Sequence, residues 1–221
     1  MSYRAVLFDL DGTLLDTLDD LADSTNAALR SLGFPEHPRP AYQYFVGDGM
    51  ENLVRRALPA ERVDAALAAR AAALVQREYA QRWAVKSRPY AGIPELLDAL
   101  VARGTAMAVL SNKPEEFTQL CVARLLPQWS FPVVVGARAG LPRKPDPTGA
   151  REVVDRLGVA PAEVLYLGDT NTDMQTALAA GLFPVGALWG FRTADELLAA
   201  GARVLLKYPQ DLLGLLDAPV G

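Results

Sequence analysis

The chain has few of the residues from which most catalytic sites are built. Among 221 residues there is one histidine, His37, and one cysteine, Cys121. A lone cysteine forbids an intrachain disulfide, and a lone histidine makes a histidine-based triad or a zinc site difficult to assemble. Basic runs are missing as well. Lys and Arg total 22 against 26 Asp and Glu, giving a net charge of −4 and a pI of about 5.1. This balance argues against nucleic acid or an anionic membrane surface as the main partner. No apolar run approaches the ~20 residues that span a bilayer. Met1-Ser2-Tyr3-Arg4 leads straight into an apolar segment with no small-residue cleavage site, so a cytoplasmic protein is expected.

Hydrophobic residues make up 51% of the chain and charged residues 22%, so a packed core is expected. Short apolar runs at 5–8, 106–110, 132–135, 164–167 and 184–188, with a weaker one at 203–206, read as buried parallel strands. Helical patterns fill 93–102, 115–126, 150–157, 174–180, 194–200 and 210–216, and Gly104, Gly158, Gly181 and Gly201 follow four of them where a helix end favours glycine. The alternation predicts an α/β fold built on a doubly wound, Rossmann-like parallel sheet.

The connection from Gly12 to Leu110 is roughly three times longer than the ~30 residues a βαβ unit needs. Its excess reads as almost wholly helical. Leu18, Leu21, Ala22, Thr25, Leu29 and Leu32 recur at helical spacing, Phe34–Pro40 is a Pro-rich loop, and 57–83 is Ala-rich. The expected organisation is a helical cap, residues 16–88, inserted into a core made of 1–15 and 89–221.

The first strand ends in Phe8-Asp9-Leu10-Asp11-Gly12-Thr13. Alternate side chains of a strand share a face, so Asp9 and Asp11 start in register, and Gly12 then permits a break. Two such carboxylates can hold a hard divalent cation, or divide the work of nucleophile and general acid/base. Beyond other strand ends lie Ser111-Asn112-Lys113-Pro114, Arg143-Lys144-Pro145 and Gly168-Asp169-Thr170-Asn171-Thr172-Asp173. Ligands of open parallel sheets bind outside the carboxyl ends of the strands, where these groups should converge.

Together they suit phosphoryl transfer, which needs an in-line nucleophile, charge neutralisation and a proton for the leaving oxygen. Asp9 can attack to form an aspartyl-phosphate. Asp9 and Asp169 can share Mg²⁺, Ser111 and backbone N–H groups around Asn112 can bind phosphate oxygens, and Lys144 adds a fixed positive charge. Asp11 can protonate the leaving oxygen and then take a proton from the attacking water.

The four motifs, in this order, resemble those of the haloacid dehalogenase superfamily of phosphohydrolases. The resemblance implies a cap placed after the first motif. It also implies Asp9 as nucleophile and Mg²⁺ ligand, Asp11 as acid/base with its backbone carbonyl on the metal, and Asp169 as the third protein ligand. Asp173 would hold a metal-bound water or orient Lys144, and Thr13 would support the phosphate loop. Within the superfamily, 46–58 (Val46-Gly47-Asp48-Gly49-Met50 onward) and Ser111-Asn112-Lys113-Pro114 are similar to segments of phosphoglycolate phosphatases. The expected partner is therefore a small phosphorylated metabolite, 2-phosphoglycolate first, with another small-molecule phosphatase or a sugar-phosphate mutase as the alternative. A dehalogenase is disfavoured, because it would not need Asp11. A monomer or homodimer is expected.

In the cap, Gly47 and Gly49 would let a loop approach the substrate closely, and Arg55 or Arg56 could grip a substrate carboxylate. Lys113 is the stronger candidate for that contact, being adjacent to the site in sequence. Cys121 reads as a buried structural thiol, His37 as a solvated loop residue, and Trp83, Trp129 and Trp189 as packing residues. Asp146 reads as a turn residue. Asp16, Asp19, Asp20 and Asp23 read as a helix start that complements the helix dipole.

Overall fold

A computed structural model describes residues 3–217. Its centre is β1 (Ala5–Phe8), a strand with no solvent exposure. Such a run, apolar on both faces, can only sit between two layers. β1 pairs in parallel with β4 (Ala106–Pro114) on one side and β6 (Val164–Gly168) on the other. β5 (Val133–Ala137), β7 (Phe183–Ala187) and β8 (Val204–Leu206) complete a six-stranded parallel sheet in the order β5-β4-β1-β6-β7-β8. The helices are α5 (Ile93–Ala102), α6 (Glu115–Leu125), α7 (Thr148–Leu157), α8 (Asn171–Ala180), α9 (Ala194–Ala199) and α10 (Leu212–Leu216). Val6, Phe8 and Val109 join a hydrophobic cluster with α5 on one face. Leu7, Ala108 and Tyr166 pack with α7 on the other.

The insertion is helical, as expected: α1 (Leu18–Ser31), α2 (Arg39–Phe45), α3 (Met50–Ala57) and α4 (Ala65–Arg82). Its apolar cluster, which includes Leu21, Leu29, Leu53, Val54, Val75 and Tyr79, also takes in Phe117 and Phe191 of the core. The Asp64 carboxylate accepts the Leu67 N–H at 2.7 Å and so caps the start of α4.

Two features of the strands depart from the sequence reading. The strand expected to stop at Leu110 continues as β4 to Pro114, with its register broken between Leu110 and Pro114. Ser111, Asn112 and Lys113 therefore sit on an irregular extension of the sheet. The two chain segments that join core and insertion are also clamped together, by an antiparallel pairing of β2 (Leu15–Asp16) with β3 (Arg88–Pro89). Strands of two residues leave no periodicity to read.

The Asp20 carboxylate strengthens the clamp, accepting the backbone N–H groups of Lys86 and Ser87 and the Ser87 hydroxyl at 2.7–3.1 Å. Asp20 is buried, so its role is a tie across the junction rather than dipole compensation at a solvated helix start. His37 is likewise not simply solvated. It is half-buried, its Nε2 lies 2.8 Å from the Ala57 carbonyl, and its ring packs edge-on against Tyr42 and Phe45. Cys121 and the three tryptophans lie in or against the core, and Asp146 accepts the Thr148 N–H within its turn.

Candidate active site

Asp9 immediately follows β1, and the chain then turns sharply. The Leu10 carbonyl accepts N–H groups from Thr13, Leu14 and Leu15, and Gly12 N–H returns to the Leu15 carbonyl at 2.9 Å. Gly12 takes a φ of 91°, and a Cβ there would collide with the Asp169 carboxylate. Glycine is required on both counts. β1 stops at Phe8, so it is this turn rather than strand alternation that carries Asp11 into the same pocket as Asp9.

Asp9 Oδ1 accepts the Leu10 N–H at 2.7 Å and lies 2.9 Å from Lys144 Nζ. Lys144 Nζ also donates to Asp173 Oδ1 at 2.7 Å and to the Leu110 carbonyl at 3.1 Å. Asp173 serves three partners, one of them the Tyr166 hydroxyl, which donates to Oδ1 at 3.3 Å. Its Oδ2 accepts the Thr170 N–H and hydroxyl, capping the start of α8, while Oδ1 holds the lysine. The motif thus starts a helix and places a cation with one side chain.

Asp169 follows β6 and is fully buried. Its Oδ1 accepts the Thr13 hydroxyl at 2.8 Å and its Oδ2 the Phe191 N–H at 2.8 Å. Gly190 leaves room for it, since a Cβ there would also collide with this carboxylate. Thr13, expected near the phosphate, instead faces Asp169, and its carbonyl accepts from Trp189 Nε1.

Asp9, Asp169 and Asp173 each present a carboxylate oxygen, all within 4.8 Å of one another. Burial, then the charge of Asp173, raises the Asp9 pKa to about 7, with Asp11 adding to the rise and Lys144 opposing it. Burial, then Asp9 and Asp173, holds Asp169 well above the ordinary carboxylate range. Burial pulls the Lys144 pKa down, but Asp173 and Asp9 outweigh it and hold it above the ordinary lysine value, so the ammonium stays charged. Three buried carboxylates facing one lysine have an excess of negative charge, and all their donors are hard oxygens. That set fits a divalent cation. Both Asp173 oxygens already have donors, so Asp9 and Asp169 are the better placed direct ligands.

Asp11 is fixed from the other side. Lys113 Nζ donates to both its oxygens at 2.9 and 3.0 Å, and Thr17 donates to Oδ1 at 2.7 Å. Lys113, expected to meet the substrate directly, is thus an Asp11 partner here. Burial opposes its charge, but Asp11 raises its pKa. The Asn112 amide stitches loops together: Oδ1 accepts the Lys144 N–H, and Nδ2 donates to the carbonyls of Lys144 and Gly47. Any phosphate contact from Asn112 must come from its backbone. The Ser111 hydroxyl accepts the Lys113 N–H at 3.2 Å.

Asp9, Asp11, Ser111, Asn112 and Lys113 line one pocket with Gly47 and Gly49 of the insertion. Arg55 is not brought there. It lies exposed on α3, paired with Glu51 one turn earlier. Besides the Asn112–Gly47 hydrogen bond, insertion and core are joined by side chains to which the sequence assigned no role. Arg192 donates to the carbonyls of Gln43 and Val46 and lies over the Tyr44 ring, and Asp48 accepts from Thr172 at 2.9 Å. No local pattern marks these side chains, because each acts on a distant loop.

Residues 6–187 match the family model of haloacid dehalogenase-like hydrolases. A phosphoglycolate phosphatase of Nitrosospira multiformis is 40% identical over 202 residues, covering 89% of this chain and 88% of that one. The phosphoglycolate phosphatase of Pseudomonas putida is 38% identical over 227 residues, covering 99% and 82%. The crystal structure of a Lactobacillus delbrueckii protein, assigned provisionally as a phosphoglycolate phosphatase, superposes with a TM-score of 0.90 at 31% identity, covering 96% and 97%. Among the described residues no helix is long and apolar enough to cross a membrane. With a family model matched over most of its length and the Asp9–Lys144–Asp169 arrangement at the sheet's carboxyl edge, the chain belongs to the haloacid dehalogenase-like hydrolases.

Proposed function

We propose that the protein is a Mg²⁺-dependent phosphatase of small phosphorylated acids, with 2-phosphoglycolate as the first substrate to test. The carrying observation is Asp9: its carboxylate lies 2.9 Å from Lys144, clusters with Asp169, and lines a pocket shared with the insertion. The names of the relatives at 38–40% identity support the substrate.

Asp9 attacks phosphorus, and the bond from phosphorus to the ester oxygen breaks. Asp11 gives its proton to that oxygen, releasing glycolate. Asp11 then takes a proton from water, which attacks the aspartyl-phosphate, and inorganic phosphate leaves with Asp9 restored. Lys144 neutralises charge on the phosphoryl oxygens and on Asp9. Asp173 positions Lys144, and Thr13 positions Asp169. Ser111 and the adjoining backbone N–H groups hold the phosphate. Asp9, Asp169 and the Asp11 carbonyl would hold Mg²⁺, which supplies charge neutralisation between nucleophile and phosphate when bound. Residues 16–88 act as a cap on a core of 1–15 and 89–221, and its closure excludes water from the first step.

Phosphate release is measured with Mg²⁺ and with EDTA from 2-phosphoglycolate, hexose phosphates, nucleotides and pyrophosphate. A preference for 2-phosphoglycolate that disappears in EDTA is expected. Metal-dependent release from another compound moves the substrate, and conversion of a hexose phosphate without release makes the protein a mutase.

A further inference from the structure

The insertion contributes Leu21, Val46, Gly47, Gly49, Met50, Leu53 and Tyr79 to the pocket. Only Tyr79 brings a hydrogen-bonding side-chain group. Its hydroxyl is also the one buried side-chain nitrogen or oxygen, among the described residues, that has no hydrogen-bond partner. A buried donor left unpaired costs stability, and such groups in native folds call for an explanation. Phe117 packs edge-on against the Tyr79 ring at 5.1 Å, and Lys113 Nζ lies over its face, 4.7 Å from the centroid. The side chain is therefore held in place, and its hydroxyl, with no partner at hydrogen-bond distance, adjoins the Cys121 thiol and the lysine that grips Asp11. Burial raises its pKa above the ordinary tyrosine value, so it stays protonated and able to donate.

We infer that Tyr79 is the residue of the insertion that reads the non-phosphate end of the substrate, donating a hydrogen bond to its carboxylate. The inference rests on the phosphatase reading and deepens it. The core residues Asp9, Ser111 and Lys144 attend to the phosphate, which every phosphomonoester carries. Leu21, Leu53 and Phe117 offer a carboxylate nothing. Tyr79 gives it a neutral donor, and Lys113 alongside gives it positive charge. Arg55, the insertion's candidate cation for this task in the sequence, is instead exposed and paired with Glu51.

The test compares 2-phosphoglycolate with ethyl phosphate, which has the same ester linkage but no carboxylate, in the native enzyme and in Tyr79→Phe. The variant keeps the ring and its packing, and removes only an unpaired hydroxyl. Its unfolding temperature should equal or exceed that of the native enzyme. The ratio of kcat/KM for 2-phosphoglycolate to that for ethyl phosphate should fall by about tenfold or more, as expected when a site loses a donor to a charged group. An unaltered ratio, or equal losses on both compounds, overturns the inference. If the native enzyme itself shows no preference for 2-phosphoglycolate, the phosphoglycolate reading fails first and takes this one with it. That failure is read from the native enzyme alone.

Discussion

The two walls of the pocket are built on opposite principles. The core wall is buried charge: Asp9, Lys144, Asp169 and Asp173 are each almost wholly enclosed and held by short hydrogen bonds or ion pairs. The insertion wall is apolar side chains and glycine, with one unpaired hydroxyl, and its ion pairs (Arg55 with Glu51, Arg39 with Asp19) face outward. Buried charge strengthens electrostatic stabilisation of a transferring phosphoryl group but tolerates little variation, because each unpaired member is costly. An apolar wall excludes water and can be reshaped with only packing at stake. Under the proposed function, the core side fixes the reaction and the insertion side is left the choice of substrate.

Breaking the core wall should have the largest effect. Asp9→Ala should lower kcat by about 10⁴-fold or more, to the background left by binding groups alone. Retention of a tenth of the native rate would remove Asp9 as nucleophile. The same wall should make the metal-free fold sensitive to pH. Folding lifts Asp9 from its ordinary 3.8 to about 7, so the folded state binds more protons than the unfolded chain between those values. Stability should therefore be greatest at the acid end of that window and fall as pH rises through it. At pH 7, MgCl2 at a hundred times its dissociation constant should restore about 2.7 kcal/mol. Urea titrations in EDTA and in Mg²⁺ across pH 4–8 measure both, and a flat EDTA profile would contradict the carboxylate repulsion.

The junction between the walls comes next. Asp20→Ala deprives the Lys86 and Ser87 N–H groups and the Ser87 hydroxyl of their acceptor. A loss of about 2 kcal/mol in unfolding free energy, measured by urea titration, is expected from orphaned donors that faced a charged group. Asp20→Asn should recover part of it. A change below about 0.5 kcal/mol would reduce Asp20 to an ordinary helix-start acid.

The two walls were not equally legible. Asp9 and Asp11 are readable because an apolar run that stops at a carboxylate and a following glycine are local facts, and parallel topology places the later motifs at the same edge. The helical insertion is readable from its length and periodicity. Asp20 was misjudged because its partners lie on the far linker, 66 and 67 residues away. Near its own helix it resembles any acid of a first turn. Lys113 was placed beside the site but not on Asp11, since sequence adjacency does not say which anion a lysine will choose. Tyr79 is one aromatic in an Ala-rich helix, indistinguishable by pattern from a core residue until its hydroxyl is found without a partner.

The smallest expected effect is the sharpest check on the insertion wall. Arg55 and Glu51 sit one turn apart on α3 with side chains 42% and 58% exposed. A pair so open to solvent contributes at most a few tenths of a kcal/mol, and salt screens it further. Arg55→Ala should therefore alter stability by less than about 0.5 kcal/mol and kcat/KM for 2-phosphoglycolate by less than about twofold. A tenfold rise in KM with kcat retained would mean that α3 turns its basic face inward when substrate binds. The apolar wall would then describe only the ligand-free enzyme, and the carboxylate would be shared between a mobile arginine and the core lysine. A small effect leaves the carboxylate to groups already inside the pocket, where the division between a charged core and an apolar insertion requires it to be.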